Sequence, residues 1–319
     1  MANINLVTRA DGAEPCTYDL NEILQLGHER PIPCLGWDKP TESSQLLVEQ
    51  TGGVRPDRAA CQMVAMSLFT GHPVCLVGPQ GCGKSALLKV VLGITNWDVV
   101  ITQASGSAEL LDLMGVRMPD GSWIEQGPLS AFREGKVWMV EERDCFSPGT
   151  STDLNTLLDR APLRVPYLGH DAIPSPNFRV VGTANTIGNG EGIESFLSSQ
   201  IQTPAANRRW IFHKMGYVPA KEEENLLLHR CPSLREMPHV ARVLLDFASL
   251  TRGQRDFPAF STAELCTTAD LLQIGSVRLL PQLLESTYFS KLTSTQEAAA
   301  KEMWSTSGGQ AMASILATP

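Results

Sequence analysis

The chain has 319 residues, 43% of them hydrophobic and 19% charged, with a formal net charge of −8. Such a chain can bury a full core and by length makes about two domains. No apolar stretch reaches the roughly 20 residues that cross a bilayer. The opening MANINLVTRADG lacks the basic-then-apolar pattern of a secretory leader, so the expected location is the cytoplasm. The acidic balance weighs against a broad nucleic-acid surface while leaving room for a local basic loop. Eight cysteines are scattered without a C-x-x-C pair and read as reduced thiols. Cys16, His28 and Cys34 follow no common metal-ligand spacing.

Residues 1–54 form a preface whose ERPIPCLGWDKP stretch reads as an extended docking segment. From Asp57 to Thr70, apolar residues at Ala60, Met63, Val64 and Leu68 mark one helical face, and Gly71 stops it. Next comes PVCLVGPQGCGKSALLKVVLGI, residues 73–94. Within it, Gly78-Pro79-Gln80-Gly81-Cys82-Gly83-Lys84-Ser85 fits G-x-x-x-x-G-K-[ST], the phosphate-binding loop. It lies between the β-branched run Val74–Val77 and the helical run that begins at Ala86, which is the strand-loop-helix setting the motif needs. Glycines let successive backbone N–H groups turn inward at the positive end of the helix dipole. Lys84 supplies a mobile cation for the β and γ oxygens, and the Ser85 hydroxyl is short enough to ligate Mg²⁺. Gly78 through Ala86 is therefore the candidate ATP cradle.

The segment KVWMVEERD, 136–144, is an apolar strand ending in acids, as in a Walker B segment. Glu142 is the candidate acid that polarises the attacking water. Glu141 stands where an aspartate usually holds the magnesium shell. Its extra methylene moves the carboxylate outward by roughly 1.5 Å, which predicts slow hydrolysis or a metal held through water. In SPNFRVVGTANTIGNG, 175–190, Asn185 ends another buried strand. It is placed either to bond a γ-phosphate or lytic water or simply to form a turn. QTPAANRRWIFHKMGYVP, 202–219, sets Arg208 and Arg209 ahead of a further apolar strand.

Together these motifs resemble the AAA+ ATPases. Two stretches sharpen the likeness. GSAELLDLMGVRMPDGSWIEQGPLSAFREG, 106–135, resembles the helix-2 insert, with Pro119-Asp120-Gly121 as its hairpin turn, and 154–188 resembles the helix and hairpin leading to the first sensor. The combination is similar to the MoxR branch, and within it to the cobaltochelatase ATPase subunit, over roughly residues 55 to 290. The resemblance implies rings, usually hexamers, that bind ATP and Mg²⁺ between subunits. Lys84, Ser85, Glu141, Glu142 and Asn185 would lie on one side, and Arg209, with Arg208 in reserve, would reach in from the next subunit. It also implies a von Willebrand factor A-domain adaptor. The chain departs from the pattern at the second sensor, where FSTAELCTTADLL has Ala263 in place of an arginine; Arg252 and Arg255 lie off the usual offset.

The fold class expected is α/β. Strands near 74–77, 99–102, 137–140, 179–183 and 210–215 would form a five-stranded parallel P-loop NTPase core with the helix-2 insert. The domain boundaries read as 1–54 extension, 55–218 nucleotide core, 219–290 helical lid and 291–319 tail. Glu222-Glu223-Glu224 reads as a solvated helix face near its N-terminus. Two other functions stay open at this point. One is a nucleotide-gated assembly module with little turnover, and the other is a nucleic-acid motor or restriction-type GTPase.

Overall fold

The computed structural model describes residues 6–27, 29–51, 56–190, 198–254 and 257–309. Two compact units account for them. One comprises Lys84–Met215 and the described residues before Pro79; the other comprises the loop apex Pro79–Gly83 and the described residues from Gly216 onward.

The first unit is built on a five-stranded, all-parallel sheet. Its order is Ile211–Lys214, Val74–Val77, Arg179–Ala184, Val137–Glu141, Val99–Gln103. Alternate side chains of each strand feed opposite faces, as the two-residue repeat of a strand requires. Val74, Leu76, Val137, Met139 and Val181 join one apolar core with Val64 and Leu68 of the Arg58–Thr70 helix and Leu88 and Val91 of the Lys84–Ile94 helix. Cys75, Val77, Trp138, Val140 and Val180 join a second core on the other face with Leu129, Phe132 and Phe178. Burial on both faces explains why these strands read as unbroken apolar runs. Asp57 caps the Arg58–Thr70 helix by accepting from the Ala60 N–H, and Gly71 ends it at φ 74°.

The preface differs from its reading as a docking segment. Pro33–Trp37 is a strand paired antiparallel with Pro15–Asp19, and Leu20, Ile32, Cys34 and Trp37 belong to the first core. The prolines stand at the first position of each strand, where a missing N–H costs least. Trp37 meets Trp97 edge-on at 5.5 Å, the Trp37 N–H donates to the Thr95 carbonyl (3.0 Å), and the Trp97 indole donates to Leu35 (2.9 Å).

The insert folds as expected. Gly115–Arg117 and Trp123–Glu125 pair around a turn with Gly121 at φ 86°, flanked by the Leu110–Met114 and Gly127–Glu134 helices. A second hairpin, Leu163–Arg164 with Asp171–Ala172, brings Tyr167 into a stack on Trp123 at 5.0 Å.

The second unit is helical: Ala220–Arg230, Pro238–Arg252, Thr262–Ile274, Leu280–Thr287 and Ser294–Thr306. Phe247 is the centre of its core, with rings of Phe260, Tyr288, Phe289 and Trp304 around it. The acidic run is not uniformly solvated. Glu223 is buried and receives both terminal nitrogens of Arg252 at 2.8 and 2.9 Å, while Thr262 donates to it as well. No helix among the described residues is long and apolar enough to cross a membrane.

Candidate nucleotide site

The phosphate loop leaves the carboxyl end of the Val74–Val77 strand, the edge at which ligands bind in open parallel sheets. Gly81 and Gly83 take φ of 70° and 97°, the left-handed region that glycine enters without steric cost. Lys84 opens the 11-residue Lys84–Ile94 helix and is 8% exposed. Its Nζ donates to the Gly78 carbonyl at 2.7 Å and to Asn185 Oδ1 at 3.1 Å. Asn185 is therefore brought against the loop lysine across 101 residues of sequence. Its Nδ2 is buried without a hydrogen-bond partner among the described residues. A buried amide left so is costly unless something accepts from it.

Glu141 ends the Val137–Glu141 strand and lies 3.8 Å from Lys89, one turn along the helix that Lys84 starts. Glu142 follows at φ 53°. Its carboxylate accepts from the Gln103 side-chain amide at 3.0 Å, and its N–H donates to the Thr183 hydroxyl at 3.2 Å. Two residues on, Asp144 is fully buried. It accepts from the backbone N–H groups of Asn185 (3.2 Å) and Thr186 (3.0 Å) and from the hydroxyls of Thr186 (3.2 Å) and Ser199 (2.6 Å). This carboxylate fixes the backbone that presents Asn185. Gln103 and Asp144 escape sequence reading because their partners lie some 40 residues or more away; an acid three places beyond a strand-final glutamate was the sole local sign of Asp144.

The donors fit a nucleotide with Mg²⁺. Positive-φ glycines, a buried lysine, one hydroxyl (Ser85) and one carboxylate (Glu141) match the sparse, phosphate-completed coordination of that ion. Among the described residues no cluster of three His, Cys, Asp or Glu side chains stands ready to hold a metal alone.

The arginine pair is not at this loop within the chain. Ile211 pairs with Val74, so Arg208 and Arg209 precede the amino end of a strand whose neighbour reaches the loop at its carboxyl end. Arg209 forms a fork on Asp159, Nε to Oδ1 at 2.7 Å and Nη2 to Oδ2 at 2.6 Å, and its Nη1 donates to the Ala205 carbonyl. That hydrogen-bonded carboxylate raises the guanidinium pKa further. Arg208 is exposed. In the helical unit, the Ala263 N–H donates to the Gly81 carbonyl (3.2 Å) and the Tyr217 hydroxyl to the Gln80 carbonyl (3.1 Å). Arg252 is committed to Glu223 and stacks 4.1 Å over Tyr217. Arg255 and the EGIESFL stretch, residues 191–197, lie outside the described residues.

Comparison with known proteins agrees with this geometry. The profile of the AAA domain (dynein-related subfamily) covers residues 73–202. Midasin of Giardia intestinalis is 31% identical over 146 residues, 44% of this chain and 3% of that protein. The denitrification regulatory protein NirQ of Stutzerimonas stutzeri is 27% identical over 161 residues, 49% of this chain and 56% of that protein. The aerobic cobaltochelatase subunit CobS of a Sinorhizobium species is 24% identical over 181 residues, 54% of each chain. This chain thus spans a little over half the length of the two bacterial relatives and a small part of Midasin. With the loop, the strand-final acids and Asn185 on one edge of a five-stranded parallel sheet, residues 73–202 match an AAA domain, and the chain is similar to AAA+ proteins of the MoxR branch and to CobS.

Proposed function

We propose that the chain binds ATP with Mg²⁺ in the Gly78–Ala86 cradle and hydrolyses it at the interface between copies arranged in a ring, using the cycle to remodel a partner protein or drive a chelatase-like complex. The observation that carries this reading is the buried Lys84 Nζ, held between Gly78 and Asn185 at the open sheet edge. Glu142, oriented by Gln103, accepts a proton from the attacking water. Asn185 directs its unpartnered Nδ2 at a phosphate oxygen or that water. Ser85 and Glu141 hold the Mg²⁺, which when bound neutralises charge on the phosphate oxygens. Arg209 of one copy, with Arg208 beside it, serves the site of the next. Its fork geometry on Asp159 shows the bidentate recognition that a phosphate also satisfies. The MoxR likeness supports the ring, six subunits and a von Willebrand factor A-domain partner.

Nucleotide affinity and phosphate release test the reading together. Lys84→Ala should weaken ATP binding by at least about 100-fold, the order of loss when a buried charge-assisted phosphate contact is removed. Glu142→Gln should keep affinity within about threefold while slowing phosphate release at least about 100-fold. Unchanged turnover in Glu142→Gln, or no saturable ATP binding by the folded parent, overturns it. Glu141 paired toward Lys89 and Ala263 in the helical unit favour a second reading, a nucleotide-gated assembly module with little turnover. A single-turnover experiment showing ATP bound but intact selects that alternative. Competition between ATP and GTP separates both from a restriction-type GTPase.

A further inference from the structure

Arg143 directly follows Glu142 and is 2% exposed. A buried guanidinium ordinarily faces a carboxylate. Here the adjacent Asp144 is occupied by Asn185, Thr186 and Ser199. Arg143 instead donates from Nη2 to Asn207 Oδ1 at 2.9 Å and lies 5.3 Å from the Trp210 ring and 5.4 Å from the Phe212 ring. Its Nη1 has no hydrogen-bond partner among the described residues, and burial lowers its pKa from the ordinary arginine value. An aliphatic side chain of similar length would fill the same space without an orphaned nitrogen, so stability alone does not account for the charge.

The placement of these contacts is specific. Arg208 and Arg209 are the two residues between Asn207 and Trp210, so one side chain grips the chain just before and just after the arginine pair. Asn207 also donates from Nδ2 to the Ile187 carbonyl at 3.1 Å, two residues beyond Asn185. Trp210 packs on Gly182 of the Arg179–Ala184 strand, where a Cβ would come within 3.2 Å of the indole. At the other end, Glu142 holds a left-handed φ of 53°, a conformation a non-glycine residue takes only at a steric cost. Arg143 is the next residue, so the direction of its side chain depends on that same backbone turn.

We propose that Arg143 is a positioning residue that sets the arginine pair of a subunit according to the state of that subunit's own Glu142, and so couples successive nucleotide sites. The inference rests on the reading of Arg209 as a contributor to the neighbouring site, and its test separates the two.

The full chain carrying Arg143→Met keeps an intact Glu142 but presents a misplaced arginine pair; Glu142→Gln has the reverse defect. Each alone should lower kcat at least about tenfold, with KM for ATP in Arg143→Met within about twofold of the parent. Mixed in equal amounts, they should recover, because random assembly pairs an intact water site with an intact arginine donor at about one interface in four. A purely structural role, or one confined to the subunit's own site, gives no recovery and overturns the proposal. The mixture of Arg209→Ala with Glu142→Gln tests the underlying reading. Recovery there without recovery for Arg143→Met refutes the coupling alone, and failure there refutes both. Asn207→Ala, which keeps the guanidinium and removes its acceptor, must complement Glu142→Gln in the same way. It decides the matter if Arg143→Met does not fold.

Discussion

Gly81 and Gly83 share a loop and a positive φ but not their surroundings. A Cβ on Gly81 would fall 2.1 Å from Ser261 Oγ and 2.6 Å from Ser261 Cβ; one on Gly83 would meet nothing within 4 Å. Ser261 caps the Thr262–Ile274 helix through a reciprocal bond set with Glu264, so a methyl at 81 displaces that cap as well as straining the backbone. Gly83→Ala should therefore cost about 1–2 kcal/mol of conformational strain. Gly81→Ala should cost that plus about 1 kcal/mol for the cap. Urea-unfolding midpoints of the two variants check the order, and equal midpoints would show that the serine gives way freely. The loop itself was legible because GPQGCGKS is a local pattern with local reasons. The serine that makes one glycine stricter than the other lies 180 positions downstream, and nothing near Gly81 announces it.

The five sheet strands were legible to within a residue or so: the three central ones are short apolar runs buried on both faces, and the two edge strands, Val99–Gln103 and Ile211–Lys214, keep enough apolar residues to read as strands although they are partly exposed. What binds one strand to the next element was not. Asp144 ties the end of the Val137–Glu141 strand to the backbone after Arg179–Ala184 through bonds that composition does not encode. Asp144→Ala leaves two N–H groups and two hydroxyls facing a void and should destabilise the first unit by roughly 3 kcal/mol. By releasing Asn185, it should also depress ATP turnover. Chemical denaturation followed by a turnover assay under conditions where the variant is folded measures both; a loss of stability with full activity would confine Asp144 to a structural part. Glu223 shows the same blindness in the helical unit. KEEEN reads as a solvated face, yet one of its three acids is the buried partner of Arg252, because only the packed helices decide which side of the turn faces inward.

Across the whole molecule, the cysteines read as reduced thiols form no disulfide among the described residues, and several are deeply buried. Burial pushes Cys61 and Cys75 up to about 12 and Cys34 higher still. An unfolded chain ionises its thiols near 8.5. Their contribution to stability is therefore fully present below about pH 8.5. Above it the unfolded state holds fewer protons than the folded one, and stability falls by up to about 1.4 kcal/mol per pH unit for each thiol until the folded values are reached. Urea midpoints at pH 8, 9 and 10 should decline steeply, and Cys61→Ala should shed about a third of the slope contributed by these three. An unchanged slope in that variant would mean that other groups govern alkaline unfolding. The preface was the least legible large feature. Prolines and a glycine make residues 29–40 read as an extended docking segment, whereas Gly36 is there because a Cβ would strike the Thr95 carbonyl at 2.2 Å.

That close fit between Gly36–Trp37 and Thr95–Trp97 has a consequence for how the chain is born. The paired strands leave the ribosome ahead of the Thr95–Trp97 segment, so the surface that shelters Trp37 is translated about sixty residues later, several seconds at the ordinary pace of synthesis. During that interval the nascent polypeptide carries a bare indole, and whatever attends it at the tunnel exit meets the tryptophan before any phosphate loop exists.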